Sequence, residues 1–365
     1  MKSKRIVLVG GGLTSMALAF LLPKKNVAIQ IVEASTRLGG RIQTSLGKLG
    51  TPLELGATWF SDAHQNLLHL LGELGLEKFP QFSTGKSLFQ TDLDEVAQAF
   101  YVPSSENPSY RIVGGTVRLI EKLRENIPNV DILLNTKISS IIDDGNEITL
   151  NTGEGQSLYA DVVIICLPPQ LAGSQIQFSP ALPSELMHIL PTVQTWMSES
   201  IKFVLEYDQP FWRGDGFSGM IYSHVGIVSE MYDHTNFEGT KFGFTGFLNK
   251  EAANYAQEER KQMVLQHLSF LLGSPILTPL TYADKVWTGE YVFEGSPWML
   301  RPHQNNGHPL LQQGYMNGKL YFAGTETATE HAGYMEGAIQ SAKRIARSLT
   351  DIATTPINQR TRQAS

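Results

Sequence analysis

Apolar and polar positions follow two rhythms along this chain, and the first sixty residues use both. Ile6–Val9 is a short, mostly β-branched run, the pattern of a strand buried on both faces. Gly10-Gly11-Gly12 makes a turn, Leu13–Leu22 has helical spacing, and Pro23 stops it. Val27–Val32 alternates and predicts a second strand that ends at Glu33. Strand, glycine turn, helix and strand together fill about thirty residues, the length of one βαβ unit.

Farther along, Leu67, Leu68, Leu70, Leu71 and Leu74 predict a helix over His64–Leu76, ended near Gly75. Residues 80–110 have no clear period and are read as an excursion away from the first sheet. Val117–Leu123 predicts a helix. Asp131–Leu134, Ile138–Ile142 and Glu147–Asn151 predict strands, with Asp144-Gly145 as a hairpin turn. Asp161–Leu167 is an apolar strand closed by Pro168-Pro169. Ser200–Tyr207, Phe242–Leu248 and Leu320–Ala323 predict further strands, and Glu258–Leu272 and Gly333–Leu349 predict helices. The tail from Thr354 is polar and expected to fray.

Composition narrows the class. A length of 365 residues predicts two domains at about 150 residues each. Hydrophobic residues at 42% against 18% charged exclude a disordered chain. The net charge of −6 comes without a long basic run, so no nucleic-acid footprint is visible. The single cysteine, Cys166, excludes an intrachain disulfide and a cysteine-type metal site, and it suits a reducing cytoplasm. The histidines show no H-x-x-x-H pairing, so no metal is expected. Lys2–Arg5 and Ile6–Leu22 look like a signal peptide, but three glycines interrupt the apolar part and no small-residue cleavage site follows. No other apolar run approaches a membrane span.

Candidate chemistry begins at Gly10-x-Gly12-x-x-Ser15. The first glycine permits the tight turn, and the second lets backbone approach a pyrophosphate. The helix start at Leu13, Thr14 and Ser15 offers free N–H groups to the anion. Ser15 stands where a very small residue is usual. Glu33 follows Gly10 by 23 residues at the end of the next strand, where an acid accepts hydrogen bonds from a ribose hydroxyl. An acid there disfavours the 2′-phosphate of NADP.

Glu33-Ala34-x-x-Arg37-x-Gly39-Gly40-Arg41 continues directly from that acid. An NAD site has no standard need of such a loop. FAD does, because its flavin half is carried onward and an arginine can sit against the phosphates. These residues resemble the flavin-containing amine oxidase family, which includes monoamine and polyamine oxidases. The resemblance runs along nearly the whole chain. Leu53-Glu54-Leu55-Gly56-Ala57-Thr58-Trp59 looks like the family's loop beneath the isoalloxazine ring, and Tyr110–Thr116 matches a short stretch before a helix. Ile138 falls where the family holds the adenine with strand backbone. Lys202 through Pro210-Phe211-Trp212 resembles a strand and loop of the substrate domain, and Trp287 matches a tryptophan packed near the flavin. The strongest match is Tyr321-Phe322-Ala323-Gly324-Thr325-Glu326-Thr327, then Gly333-Tyr334-Met335-Glu336-Gly337-Ala338. There the resemblance sets Glu326 toward the ribityl–phosphate region, with Met335 and Ala338 on the helix whose start faces the flavin.

The resemblance implies an α/β fold with a Rossmann-like FAD-binding domain and a second substrate domain of mixed sheet and helices. The expected boundaries are 1–79, 110–169 and 285–350 for the FAD domain, 80–109 and 170–284 for the substrate domain, and 351–365 for a flexible tail. It implies FAD bound without a covalent link, because Ser296 stands where mammalian-type monoamine oxidases carry the linking cysteine. It implies a small-molecule amine and O2 as reactants, with hydride passing from the amine α-carbon to flavin N5 and peroxide released. Tyr334 is expected as one aromatic wall guiding the amine, and Trp298 as the other, since the family's second wall tyrosine is here Pro297. A lysine that assists oxygen reduction is expected at Lys250. Two other readings share the fold: an oxidoreductase on a non-amine substrate, like the desaturases, protoporphyrinogen oxidases and renalase, or a flavin-free binding protein like the GDP-dissociation inhibitors.

Overall fold

The computed structural model describes residues 3–23, 25–103, 107–290 and 301–354. The chain forms two units, each drawn from separated segments.

In the first unit, the apolar run at the N-terminus is the strand Lys4–Val9. It lies between Val27–Val32 and Val162–Ile165, parallel to both, so Ile6 to Val9 are covered on both faces. Asp131–Leu133 extends the sheet beyond Val27–Val32, and Leu320–Phe322 extends it beyond Val162–Ile165, again in parallel. Gly314–Tyr315 closes the edge antiparallel, giving six strands. The helix Leu13–Leu21 packs against the long helix Met335–Thr354. A four-stranded sheet of Ser157–Ala160, Ile148–Thr152, Ile138–Asp143 and Gln177–Ser179 completes this unit. Ile141, Ile148 and Leu150 join Val7, Val163, Ile165 and Phe322 in one core.

The second unit is built on a seven-stranded sheet in the order Thr281–Val286, Ile201–Tyr207, Phe242–Leu248, Val228–Asp233, Phe217–Ser223, Lys86–Gln90, Gln98–Tyr101. Alternation along Ile201–Tyr207 sends Ile201, Phe203, Leu205 and Tyr207 into a core with Trp212, Phe244 and, from helix Gln257–Leu272, Val264 and Leu268. The other face carries Lys202, Val204 and Glu206, and Val204 packs on Leu53 and Leu55. Glu206 is fully buried and accepts from Leu49 N at 3.0 Å, Thr51 N at 3.3 Å and Thr281 Oγ1 at 2.7 Å. Asp233, also fully buried, accepts from Trp212 Nε1 at 2.8 Å, Arg213 Nε at 2.9 Å and Arg213 Nη2 at 3.0 Å.

Most expected elements occur within a residue or two of their expected bounds, among them Val27–Val32 and Phe242–Leu248. The helix read over His64–Leu76 is shorter, Gln65–Glu73, because Gly75 takes a positive φ of 65° and turns the chain. Residues 80–110 hold two strands of the seven-stranded sheet, Lys86–Gln90 and Gln98–Tyr101. The segments group differently from the expected boundaries. The first unit is Met1–Gly40, Ile120–Trp196 and Gly295–Ser365, and the second is Arg41–Leu119 and Met197–Glu294. Residues 41–79 join the second unit because Leu53, Leu55 and Thr51 are tied to Val204 and Glu206. Residues 170–196 join the first because Ala172, Ile176, Leu186 and Leu190 enter its core.

Candidate functional site

At the N-terminal turn, Gly10 has a φ of +104°, and an added Cβ would stand 2.9 Å from Leu167 Cδ2. Only glycine fits there. Gly12 differs. It is the N-cap of helix Leu13–Leu21, an added Cβ would meet nothing within 4 Å, no side chain caps the helix and its first turn has no acid. Open space beside unspent N–H groups and the positive helix end is what a phosphate requires. Ser15 is fully buried and its hydroxyl donates to Gly10 O, so the serine tightens the turn from inside. Glu33 Oε2 accepts from Gly11 N at 2.6 Å and Oε1 from Ser35 N at 2.8 Å, which fixes the carboxylate beside the turn. The segment leading to Ile138 is tied there as well, through Thr136 N to Glu33 O at 2.9 Å. Gly39 N donates to Gly11 O at 2.9 Å, and Arg37 Nη2 to Gly40 O at 2.7 Å, while Ala34 is exposed. These residues fit the adenosine–pyrophosphate half of a dinucleotide.

The C-terminal motif belongs to the same unit. Gly324 has a φ of +116° and leads from strand Leu320–Phe322 into a tight turn that buries Glu326 completely. Thr325 Oγ1 donates to Tyr334 O at 2.7 Å and accepts from Gly333 N at 2.8 Å, clamping the start of helix Met335–Thr354. An added Cβ at Gly337 would strike His331 O at 2.4 Å, so this turn and helix touch backbone to backbone. Met335 and Ala338 face inward. Tyr334 stays 39% exposed. Trp196 stands 6.2 Å from the Tyr334 ring and stacks on His303 at 4.5 Å. Gly333 admits Trp196, since a Cβ there would be 2.5 Å from Trp196 Cβ. Among the described residues of its unit, Trp196 and His303 are aromatic neighbours of Tyr334. Trp298 lies outside the described residues.

In the second unit, the loop Leu53–Trp59 meets the seven-stranded sheet. Gly56 is required by close approach, as a Cβ there would be 2.2 Å from Arg41 O. Ala57 N donates to Arg41 O at 2.9 Å. Lys202 is 3% exposed. Its Nζ donates to Gly56 O at 2.8 Å and Thr58 Oγ1 at 2.7 Å, and it lies 5.1 Å from the Trp59 ring and 5.2 Å from Phe247. Desolvation lowers this ammonium from the ordinary 10.5 to about 7, against the pull of Glu54. Glu54 is itself buried, which raises its carboxyl despite hydrogen bonds from Thr116 N at 2.6 Å and Thr44 Oγ1 at 3.0 Å. Trp287 Nε1 donates to Leu55 O at 2.8 Å, so this tryptophan braces the same loop.

Lys250 is exposed, at the first residue of the 3-10 turn Lys250–Asn254. The buried, perturbed lysine is Lys202, seen in the sequence only as the start of a strand. The signal was its place on the face of Ile201–Tyr207 opposite Ile201, Phe203 and Leu205. Cys166 is desolvated and its thiol is pushed up to about 12, which leaves it inert.

The sequence profile described as "Flavin containing amine oxidoreductase" matches residues 16–103 and 99–350. A protein of Dictyostelium discoideum named "Probable flavin-containing monoamine oxidase A" is 25% identical over 95% of this chain and 97% of its own length. Among solved structures, cyclohexylamine oxidase from Brevibacterium oxydans superposes with a TM-score of 0.82 at 20% identity, covering 97% of this chain and 100% of that one. A putative protoporphyrinogen oxidase from Exiguobacterium superposes at 0.71 and 16% identity, covering 96% and 99%.

Proposed function

Because the chain belongs to the flavin-containing amine oxidoreductases, and is thus a flavin-dependent oxidoreductase, we propose that it is an amine oxidase that holds FAD without a covalent bond. The observation that carries this reading is a family match extending from residue 16 to residue 350. The structural neighbour titled as a protoporphyrinogen oxidase shares the fold, and nothing further favours its substrate class here.

In the first unit, the turn of Gly10 and Gly12 with Leu13, Thr14 and Ser15 would hold the pyrophosphate. Glu33 with Ala34 would hold the ribose, and backbone at Ile138 the adenine. Gly40, Gly324, Glu326, Met335 and Ala338 would follow the dinucleotide onward. In the second unit, Arg41 would sit against the phosphates, and Gly56, Ala57, Thr58, Trp59 and Trp287 would lie beneath or near the flavin ring. When bound, FAD supplies the hydride acceptor and, on reoxidation by O2, yields hydrogen peroxide. The oxidised product is an imine, which hydrolyses in water to a carbonyl compound.

The chain's own residues have simpler tasks. Tyr334 offers a π face to an amine, and Trp196 and His303 hold that ring in place. Lys202 takes the role first assigned to Lys250. Desolvation leaves it half-protonated near neutral pH, so its Nζ can give and recover a proton beside Thr58 and Gly56. A cytoplasmic location is in keeping with the lone free thiol of Cys166, and no described helix is long and apolar enough to cross a membrane.

Anaerobic addition of primary, secondary and polyamine substrates should bleach the flavin absorbance, and air should then release peroxide. A flavin-loaded protein that stays yellow across that panel refutes the proposal.

A further inference from the structure

Within the second unit, beside Glu54, lies a cavity of about 10 Å³, room for one water molecule. Its lining includes Glu54, Phe79, Arg111, Gly115, His234 and Phe237. Gly115 helps to make the space. Its φ is +95°, and an added Cβ would stand 2.8 Å from Thr44 Cγ2 and 3.0 Å from Glu54 Oε1.

Three of the lining side chains are polar and buried: Glu54 is 2% exposed, Arg111 5% and His234 2%. Burial lowers the Arg111 guanidinium to about 10, so it is charged at neutral pH. Its Nη2 donates to Thr235 O, and its Cζ lies 4.6 Å from the centre of the Phe79 ring. No direct ion pair joins Arg111 to Glu54 among the described residues, and Asp233 is engaged by Arg213. Arg111 Nε and His234 Nδ1 are buried and have no hydrogen-bond partner among the described residues. Burial, with the charges of Arg111 and Lys202, holds the His234 imidazole well below its usual range, hence neutral. Glu54 Oε1 accepts from Thr116 N and Thr44 Oγ1, whereas Oε2 accepts from Thr44 Oγ1 alone and keeps a lone pair.

Buried polar groups left without partners are costly, and ordered water is the usual remedy where a polar cavity has the room. The donor set decides what fits. An anion would suit Arg111 but set its charge against the Glu54 oxygens, and a cation would face Arg111. Water meets all three groups, because it can accept from Arg111 Nε while giving two hydrogen bonds of its own. We propose that this cavity is a binding site for a single water molecule, which accepts from Arg111 Nε and links it to His234 Nδ1 and Glu54 Oε2. Through that water Arg111 steadies the carboxyl group of the strand Pro52–Glu54, which leads into the loop held by Lys202. The inference stands independently of the amine oxidase reading.

Crystals of the FAD-loaded protein that resolve bound waters test it, together with crystals soaked in sodium bromide. The native crystals should show one density peak within hydrogen-bond distance of both Arg111 Nε and His234 Nδ1. The soaked crystals should give no bromide anomalous signal there. A cavity without density would overturn the proposal, and a bromide peak would overturn it in favour of an anion site. Arg111→Met, which keeps most of the bulk and removes the donor, should lose the peak. A peak that stays in place in that variant would refute the bridging role. The wild-type crystals decide the assignment even if Arg111→Met does not fold.

Discussion

Replacing Lys202 by methionine tests the physical heart of the second unit. Methionine keeps the length of the side chain and removes its titration. Burial lowers the native ammonium from 10.5 to about 7. Below pH 7 the lysine is charged in both folded and unfolded chains, and the native state bears the full cost of the buried charge. Between pH 7 and 10.5 the native lysine has shed its proton while the unfolded one retains it. The unfolded state then binds more protons, so native stability rises with pH at about 1.4 kcal/mol per unit from this group. From pH 7.5 to 9.5 the stability of the wild type relative to Lys202→Met should climb by about 3 kcal/mol. Leaving Gly56 O and Thr58 Oγ1 without their donor lowers the variant's curve by about 1–3 kcal/mol but does not alter this slope. Urea unfolding of both proteins at stepped pH, with the same excess of FAD, measures the difference. Parallel stability profiles across that window would refute the argument and mean that Lys202 stays charged when buried.

Other outcomes follow from the same geometry. Gly12→Thr should fold with a loss under about 1 kcal/mol, since threonine caps helices well, yet bind FAD at least tenfold more weakly, as read by flavin fluorescence titration. Gly10→Ala should instead destabilise the apoprotein itself by about 1–3 kcal/mol, because it strains a positive φ and presses on Leu167; thermal unfolding without FAD checks it. Asp233→Ala removes the partner of a half-buried arginine and of the Trp212 indole, and should cost about 3–5 kcal/mol in urea unfolding. Acid precipitation of the holoprotein should leave all yellow colour in the supernatant and a polypeptide mass equal to the bare chain, since Ser296 cannot form a thioether.

The first βαβ unit was legible because each of its signals is local. The run Ile6–Val9, the glycines and Pro23 specify strand, turn and helix with no help from the rest of the chain. The strands Lys86–Gln90 and Gln98–Tyr101 were not legible. Their sequences, KSLFQ and QAFY, hold no β-branched residue; Lys86–Gln90 depends on pairing with Phe217–Ser223, more than a hundred positions away, and Gln98–Tyr101 on pairing in turn with Lys86–Gln90. Lys202 escaped for a related reason. Alternation along Ile201–Tyr207 shows which face it shares with Glu206, but the burial of that face comes from Leu53 and Leu55. No sequence window contains both. Tyr334 was legible as a site residue through its motif, whereas Trp196 was not, because Gly333 makes room for it from across the unit.

The arrangement of the six-stranded sheet bears on how the protein is made. At about 5–20 residues per second, roughly 15–60 seconds separate the emergence of Val9 from that of Phe322 at the ribosome. From its own emergence, about halfway through that interval, until the end of it, Val162–Ile165 lacks one of its two parallel neighbours. The segments of the other unit have all emerged once residue 294 is out. That unit can therefore close first, and the nascent chain must shelter the open edge of Val162–Ile165 until its last parallel strand arrives.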